Sequence, residues 1–370
     1  MTPQNEEELA SFLAEAQNPV CIEGAGTRGI TQGRVNAEET ISTSSLSGIS
    51  LYEPGALTIV AKAGTSVAEI EATLEAEGQE LPFEPMDHRT VLGTDGAPTI
   101  GGVVSGNISG PRRIQAGACR DSLIGVRFID GAGNIIKNGG RVMKNVTGYD
   151  LVKLMAGSYG TLGVLTEVSF KVLPKSETSA TLVLHGLDDT TAVAACCDAL
   201  GSPFNVTGAA HIKDEEGAKT YLRIEGFEQS VAYRTEQMKT LFKEHSVSVE
   251  TKSDPIWNSI RDVAHFENHD GDLWKLSVKP TDGPVLVKRL LDQNIDLKAS
   301  YDWGGGLVWM AVPSGTDIRA KIGTFDGHAT LVKGQGAPML HPQNAVVKML
   351  EEGLRNKFDP KGILNPGVAH

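Results

Sequence analysis

Four glycines lie in Lys144-Asn-Val-Thr-Gly-Tyr-Asp-Leu-Val-Lys-Leu-Met-Ala-Gly-Ser-Tyr-Gly-Thr-Leu-Gly-Val-Leu-Thr-Glu167, a stretch that ends as an apolar strand. Because glycine has no side chain, such a stretch lets the backbone approach a ligand closely. Two more stretches of this kind lie upstream, namely Thr99-Ile-Gly-Gly-Val-Val-Ser-Gly-Asn-Ile-Ser-Gly110 and Glu23-Gly-Ala-Gly-Thr-Arg-Gly29. Three glycine loops in the first half of the chain indicate one large bound cofactor.

The first loop fits the G-x-G-x-x-G dinucleotide fingerprint and follows an expected strand. Its context argues against a nicotinamide Rossmann site, because residues 30–34 do not read as a helix and no acidic residue follows about 20 positions on. Successive amides near glycine can still cradle a phosphate, with Thr27 and Arg28 as further donors. A plain tight turn is the alternative for this loop taken alone.

Composition limits the possible partners and sites. A net charge of -12 over 370 residues argues against nucleic acid as a partner, and the N-terminus lacks a hydrophobic targeting segment. The four cysteines show no C-x-x-C spacing, so no iron-sulfur cluster is expected. Residues 112–153 carry eight basic and three acidic side chains, a local charge of +5 that suggests an anionic ligand or partner, or a solvated face.

Hydrophobic spacing predicts the elements of the first half. Helices are expected over 6–16, capped by Asn5, and from Ser66 to Gly78. Strands are expected over 19–23, 57–63 and 163–172, with a hairpin of 123–130 and 134–137. The segments between the first two strands and from Pro82 to Leu123 are expected to be loop.

Pro174 and the polar run 175–179 mark an expected domain boundary. The later strands are expected over 180–185, 206–212, 220–225, 273–278 and 306–312. The later helices are expected over 190–200, 229–244, 254–264, 283–293 and 343–358, the last through Val346, Val347, Leu350 and Leu354. This pattern is typical of an α+β fold.

The glycine motifs, together with Gly148-Tyr-Asp-Leu151 and Phe358-Asp-Pro-Lys-Gly-Ile-Leu-Asn-Pro-Gly367, resemble the FAD-linked oxidases of the vanillyl-alcohol oxidase superfamily. Later motifs, among them Tyr301-Asp-Trp-Gly-Gly-Gly306, are similar to the second flavin (E) subunits of bacterial glycolate oxidases. The resemblance implies a two-lobed, PCMH-type FAD-binding domain over 1–174 and an α+β cap domain with an antiparallel sheet over 175–340. Residues 341–370 would form a helix and closing loop that pack back on the FAD domain.

The resemblance also implies which residues hold FAD. The pyrophosphate would lie on Gly24, Ala25, Gly26, Thr27 and Arg28, and Asn365 would contact the flavin side. The rest of the site would be lined by Pro85, Thr99, Gly101, Gly102, Ser105, Gly106, Ser109, Gly163, Val164 and Leu165. No histidine or cysteine stands where some members attach flavin, so FAD is expected to be non-covalent.

The catalytic pattern of related hydroxy-acid dehydrogenases is incomplete here. Their two metal-binding histidines correspond to Asp302 and Trp309, so no metal is expected. Arg261, His265 and Lys275, expected to flank a cap-domain strand, and His328 remain candidates for binding a substrate carboxylate and taking its proton. Surface charges or satisfied histidines are the alternative for these four residues.

Three functions follow from the resemblance. The first is an FAD-binding, electron-conducting subunit of a cytoplasmic glycolate oxidase complex, beside a catalytic FAD subunit and an iron-sulfur subunit. Such a complex would act on a small 2-hydroxy acid such as glycolate and could attach peripherally to the inner membrane, with no transmembrane segment in this chain. The others are a self-sufficient FAD-dependent 2-hydroxy-acid dehydrogenase and a flavin-free structural subunit.

Overall fold

The computed structural model describes residues 1–29, 35–140 and 148–368. The chain divides into two compact units. Unit 1 comprises Met1–Ser109, Gly117–Lys175 and Pro342–His370, and unit 2 comprises Gly110–Ala116 and Ser176–His341. No helix in these described ranges combines the length and apolarity needed to cross a bilayer.

The helices and strands follow one another along both units. The helices are α1 (Glu6–Glu15), α2 (Val67–Glu75), α3 (Arg89–Leu92), α4 (Ile100–Ser105), α5 (Arg113–Ala116), α6 (Cys119–Ser122), α7 (Leu151–Met155), α8 (Asp189–Gly201), α9 (Glu228–Leu241), α10 (Ser253–Arg261), α11 (Asp282–Leu291), α12 (Ile318–Ile322) and α13 (Ala345–Phe358). The strands are β1 (Val20–Glu23), β2 (Glu39–Ser42), β3 (Ile49–Glu53), β4 (Thr58–Lys62), β5 (Gln79–Glu80), β6 (Leu123–Ile129), β7 (Ile135–Gly139), β8 (Val164–Lys171), β9 (Leu173–Pro174), β10 (Thr178–His185), β11 (Val206–Asp214), β12 (Gly217–Gly226), β13 (Ser246–Glu250), β14 (Asp272–Val278), β15 (Lys298–Asp302), β16 (Leu307–Val312) and β17 (Gly327–Lys333).

The first lobe of unit 1 is a parallel pair of strands packed on a helix. β1 pairs with β2, and the closing loop adds a parallel bridge between Val20 and Leu364. Asn5 caps α1 by accepting a hydrogen bond from the Glu8 amide at 2.8 Å. Leu9 and Leu13 of α1 pack with Ile41 and Leu364 in one core cluster, so the C-terminal loop belongs to this lobe.

The second lobe of unit 1 is a five-stranded antiparallel sheet. Its strand order is β3-β4-β8-β6-β7, and β5 pairs with β9 in a separate two-stranded sheet. The turn of the β6-β7 hairpin is closed by Asp130, whose Oδ1 accepts hydrogen bonds from the amides of Ala132 and Asn134.

Unit 2 is built on an eight-stranded antiparallel sheet of order β13-β10-β12-β11-β15-β16-β14-β17. One face of the sheet is apolar, with Trp274, Leu276 and Met310 packed against Leu286 and Leu290 of α11. Both units therefore mix helices with antiparallel sheets, and the expected α+β fold class is confirmed.

A short strap, residues 110–116, lies in the sequence between two stretches of unit 1 but belongs to unit 2. Arg112 in this strap donates to Glu225 Oε1 at 2.6 Å, and both side chains are buried. Glu225 Oε2 lies 3.2 Å from Arg223 Nε. The expected division at residue 174 placed this strap in the first domain, because nothing in its sequence indicates that it belongs to a different unit from its neighbours.

The basic segment 112–153 is divided between the two units. Arg112 and Arg113 lie in unit 2, whereas Arg127 of unit 1 pairs with Glu6. Lys153 donates to backbone oxygens of Arg120 and Leu123. Arg141 and Lys144 lie outside the described residues, as do residues 30–34 of the first-loop prediction.

Several elements were not expected from the sequence. β2, β3, β13, β15 and β17 are short or only partly buried, so they lack a strong apolar run. The expected loop from Pro82 to Leu123 contains α3, α4, α5 and α6. The apolar stripe of α13 is not a core face, because Val346 and Leu350 are 65% and 58% exposed.

Candidate functional site

A cavity of about 690 Å³, counting its open mouth, lies in unit 1 where the three glycine loops meet. Its walls come from the loop after β1, from α4, and from the loop that leads into β8. The lining residues are Ile22, Glu23, Gly24, Ala25, Gly26, Thr27, Arg28, Gly29, Thr43, Thr99, Gly101, Gly102, Ser105, Gly106, Tyr159, Gly160, Gly163, Val164, Leu165 and Asn365.

The loop after β1 presents its backbone to the cavity. Gly26 has a φ of +69°, a conformation that favours glycine, and the turn closes with the Gly29 amide donating to the Gly26 carbonyl. Among the described residues, none accepts a hydrogen bond from the amides of Ala25, Gly26, Thr27 or Arg28. Adjacent free amides of this kind form a concave site for an anion.

Arg28 adds a buried positive charge to that loop. Its side chain is 8% exposed, and Nε and Nη2 have no hydrogen-bond partner within the described part of the chain. Burial lowers the pKa of Arg28 to about 10, so the guanidinium stays protonated at neutral pH. A buried cation with two unused donors is the feature that a pyrophosphate would satisfy.

The second wall is α4, which packs too closely for side chains at its glycines. Thr99 caps the helix by accepting a hydrogen bond from the Gly102 amide at 3.3 Å. A Cβ on Gly101 would lie 2.7 Å from Ala63 Cβ, and one on Gly102 would lie 2.5 Å from Arg28 Nη1. The two glycines therefore let α4 approach both the sheet and the Arg28 guanidinium.

The third wall contains Gly163 and the side chain of Asn365. Gly163 has a φ of +157°, and a Cβ there would meet Phe128 at 2.7 Å. Asn365 Oδ1 accepts a hydrogen bond from the Ile22 amide at 2.7 Å, while Nδ2 donates to the Tyr159 carbonyl at 2.9 Å. Asn365 thus ties the closing loop to β1 and to the glycine loop, which leaves its amide occupied by protein.

These walls fit a dinucleotide. They combine free amides, a buried cation and glycines whose Cβ atoms would collide with neighbouring atoms. Glu23 is the acidic lining residue, and burial raises its pKa. None of the described lining residues is a histidine or a cysteine, the side chains by which flavin could be attached.

The sequence-predicted cofactor residues mostly line this cavity. Pro85 and Ser109 do not, and the Ser109 hydroxyl instead accepts a hydrogen bond from the Cys119 amide at 2.9 Å. Sequence reasoning did not name six lining residues, namely Ile22, Glu23, Gly29, Thr43, Tyr159 and Gly160. Tyr159 and Gly160 lie inside the glycine-rich stretch from Lys144 to Glu167, so that motif could have identified them as lining residues.

Two of the four candidate catalytic residues of unit 2 are held by neighbours. Arg261, at the end of α10, donates through Nε and Nη2 to both carboxylate oxygens of Asp262 at 2.8 Å. His265 Nε2 lies 2.8 Å from Ser300 Oγ, and burial lowers the pKa of His265 to about 4. A histidine with this pKa is neutral and positioned by Ser300, whereas Arg261 is neutralised by Asp262.

The other two candidates share the face of the sheet opposite the apolar core. Lys275 of β14 lies opposite Thr330 of β17, and Ser277 lies opposite His328. Burial and the nearby Arg113 lower the pKa of Lys275 to about 8. Burial and the charge of Lys275 likewise lower the pKa of His328. The structure therefore brings Lys275 and His328 together, with Arg113 as a third basic group.

The segment Asp302–Trp309, aligned in the sequence with a metal-binding strand, is not one strand. β15 ends at Asp302, a short 3₁₀ turn spans Trp303–Gly305, and β16 begins at Leu307. Asp302 Oδ1 accepts a hydrogen bond from the Trp303 amide at 2.6 Å. The described residues contain no cluster of three histidine, cysteine or acidic side chains placed to hold a metal.

Comparisons with known proteins agree with the cavity. A family model described as an FAD binding domain matches residues 1–139. The chain is 33% identical over 354 residues to glycolate oxidase subunit GlcE of Escherichia coli (strain K12), covering 95% of this chain and 92% of that protein. It is 31% identical over 188 residues to glycolate oxidase subunit GlcD of Bacillus subtilis (strain 168), covering 50% of this chain and 38% of that protein.

Among solved structures, 4-ethylphenol oxidase from Gulosibacter chungangensis has the same fold. The TM-score is 0.74 at 11% identity, over 100% of this chain and 88% of that chain. The resemblance to the E subunits of glycolate oxidases and the expectation of bound FAD are confirmed. The chain belongs to the GlcE family of glycolate oxidase subunits, a family of FAD-linked oxidoreductases.

Proposed function

We propose that this chain is the FAD-binding, electron-conducting subunit of a glycolate oxidase complex. It would work beside a catalytic FAD subunit and pass electrons from 2-hydroxy-acid oxidation toward an iron-sulfur subunit. The main support is the near full-length similarity to the GlcE subunit, in a chain whose unit 1 holds a glycine-walled cavity. The proposal includes a cytoplasmic location, with any membrane attachment made through the complex.

The loop after β1 would bind the pyrophosphate of FAD through the amides of Ala25, Gly26 and Thr27 and through Arg28. FAD, when bound, would supply the redox chemistry by carrying electrons that come from the catalytic subunit. The protein's part is to hold the cofactor and exclude side chains from its path, through Gly101, Gly102 and Gly163. Asn365 would act by fixing the cavity wall, because its amide is engaged by backbone groups. The absence of histidine and cysteine from the described wall supports non-covalent binding.

Replacing Arg28 with glutamine is expected to weaken FAD binding about 10- to 100-fold. Charge-assisted hydrogen bonds contribute about 1.5–3 kcal/mol, and each 1.4 kcal/mol is about tenfold in affinity. The measurement is the quenching of flavin fluorescence as FAD is titrated into apoprotein. Arg120→Gln, an exposed arginine of unit 1, is the matched control. Unchanged FAD affinity in Arg28→Gln would contradict the proposal that this loop binds the pyrophosphate.

The state of the candidate catalytic residues supports electron conduction over independent catalysis. Arg261 is neutralised by Asp262, and the low pKa of His265 makes that imidazole a weak base. A self-sufficient dehydrogenase would need Arg261 to bind the substrate carboxylate and His265 to take the hydroxyl proton. The ion pair of Arg261 and the low pKa of His265 argue against both roles.

A self-sufficient 2-hydroxy-acid dehydrogenase is the second candidate. One observation favours it, namely that Arg113, Lys275 and His328 bring basic groups to the same sheet face. A flavin-free structural subunit is a weaker third candidate, because the fit of the cavity to a dinucleotide argues against it.

Anaerobic addition of glycolate separates the candidates. With an electron-conducting subunit, the flavin of the isolated chain is expected to keep its absorbance, whereas the flavin of the co-purified complex is bleached. D-lactate should be tested in parallel, and dithionite should bleach both samples as a control for redox-active flavin. Rapid bleaching of the isolated chain by either acid would overturn the proposal in favour of the dehydrogenase. A colourless chain that FAD cannot reconstitute would favour the structural subunit.

A further inference from the structure

Two tryptophans and two cations form a cluster within unit 2. Trp303 lies in the turn after β15, and its indole Nε1 donates to the Gly110 carbonyl at 2.9 Å. Arg113 Cζ lies 4.3 Å from the centre of the Trp303 ring. Lys275 Nζ lies 5.3 Å from the centre of the same ring and 5.9 Å from that of Trp309. The strap 110–116 thus carries a guanidinium to the sheet face that holds Lys275.

The register of the sheet fixes this arrangement. β14 pairs with β16 so that Lys275 lies opposite Trp309. Because side chains alternate between faces along a strand, Lys275 and Trp309 point away from the core that Trp274 and Leu276 occupy. Trp309 is buried, whereas Lys275 remains partly exposed. The side chain therefore lies against an apolar wall without being fully enclosed.

Lys275 has the surroundings of a reactive amine. No described residue accepts a hydrogen bond from its Nζ. Three charged or titratable groups act on it, namely Arg113 on the strap, Asp302 at the end of β15 and His328 on β17. Desolvation and a neighbouring cation both favour the neutral amine, and these are the two conditions that make lysine a nucleophile toward carbonyl compounds.

The same cluster selects the kind of carbonyl compound. Arg113 presents a guanidinium, whose planar set of donors matches a carboxylate. The indole rings of Trp303 and Trp309 offer flat apolar surface beside the amine. A small molecule with a carboxylate next to a carbonyl carbon offers one group to Arg113 and the other to Lys275.

We propose that unit 2 carries a capture site for small 2-oxo acids, in which Lys275 forms a reversible imine while Arg113 holds the carboxylate. The amine nitrogen adds to the carbonyl carbon, and a C–N bond forms. The carbonyl oxygen then leaves as water with the two amine hydrogens, so no electrons are transferred and no co-reactant is needed. Oxidation of a 2-hydroxy acid yields a 2-oxo acid, so the site would take the product of the reaction. Only this last link rests on the proposed function.

Borohydride trapping tests the site on the full chain. The protein is incubated with glyoxylate or pyruvate, quenched with borohydride, and mapped by peptide mass spectrometry. Lys275 is expected to be labelled at least about tenfold faster than Lys279, because its lower pKa leaves far more neutral amine at pH 7. Lys279 is exposed and paired with Asp326, so it is the matched lysine of the same region. Labelling of Lys275 at or below the rate of Lys279 would overturn the proposal.

The pH dependence has a defined sign. The neutral amine is the reactive form, and the pKa of Lys275 is about 8, so imine capture is expected to rise from pH 7 to pH 9 with a midpoint near 8. A capture rate at Lys275 that does not change between pH 7 and pH 9 would contradict the assignment.

Two variants separate the roles of the cations. Arg113→Gln is expected to abolish the preference for glyoxylate over acetaldehyde, which lacks a carboxylate, while still allowing capture of acetaldehyde. Lys275→Arg keeps the positive charge and should eliminate the adduct, whereas Lys279→Arg should leave it intact. The adduct is first mapped in the chain without substitutions. The test of the capture site therefore does not depend on whether a variant folds well. The adduct is measured without flavin chemistry, so failure of this proposal can be distinguished from failure of the anaerobic glycolate test.

Discussion

Gly102→Val is expected to yield a protein that folds but retains almost no FAD, with affinity reduced by at least about 100-fold. A Cβ at this position would lie 2.5 Å from Arg28 Nη1 and 3.3 Å from Thr99 Oγ1. The two valine methyl groups would push the guanidinium out of place and fill part of the cavity wall. Overpacking costs about 1–3 kcal/mol and lost charge-assisted hydrogen bonds about 1.5–3 kcal/mol, which together correspond to about two to four factors of ten in affinity.

The measurement is the ratio of flavin to protein absorbance after purification, followed by titration of the apoprotein with FAD. Gly353→Val is the control, because a Cβ on that exposed residue of α13 meets nothing within 4 Å. Thermal unfolding of both apoproteins separates lost binding from lost folding. Full flavin occupancy in Gly102→Val would show that the α4 backbone does not approach the cofactor.

The cofactor site could be predicted from sequence largely because glycine is needed wherever the backbone packs too closely for a side chain. Gly24, Gly101 and Gly163 are conspicuous in the chain, and each would meet a neighbouring atom within 3.0 Å if it carried a Cβ. The role of Asn365 could not be foreseen, since its partners Ile22 and Tyr159 are far away in sequence. Long-range backbone hydrogen bonds leave no local pattern.

The fold was predictable where an element has a strong period or a cap. Asn5 and Ser66 mark α1 and α2, and each side chain accepts the expected amide hydrogen bond. α4 was missed because glycine has low helix propensity, although Thr99 caps the helix and Val103 and Val104 are fully buried. Tertiary packing outweighs local preference in that segment.

The course of residues 110–116 is the largest departure from the sequence prediction. Arg112 and Arg113 belong to a basic run, so the sequence suggested a surface shared with Arg120 and Arg127. The structure instead buries Arg112 against Glu225 and places Arg113 on Trp303. The partners of both arginines come from strands and turns that are distant in sequence. The distribution of charge along the chain therefore cannot show that residues 110–116 belong to unit 2.

Glu225→Gln is expected to destabilise unit 2 by about 3–5 kcal/mol, the usual cost of breaking a buried ion pair. The glutamate is 9% exposed in its side chain, with Arg112 Nη2 at 2.6 Å and Arg223 Nε at 3.2 Å. Glutamine keeps the shape but removes the charge, so two buried guanidinium groups lose their carboxylate. Release of Arg112 also frees the strap that positions Arg113 against Trp303.

Urea unfolding followed by tryptophan fluorescence measures this change in unit 2 selectively. All four tryptophans of the chain, Trp257, Trp274, Trp303 and Trp309, lie in unit 2. Glu216→Gln is the control, since Glu216 pairs with Lys219 at an exposed site and should leave the midpoint unchanged. Flavin content should stay closer to normal than in Gly102→Val, because the cavity lies in unit 1. An unchanged midpoint in Glu225→Gln would show that Arg112 and Arg223 are stabilised without this carboxylate, and that Glu225 does not hold the strap.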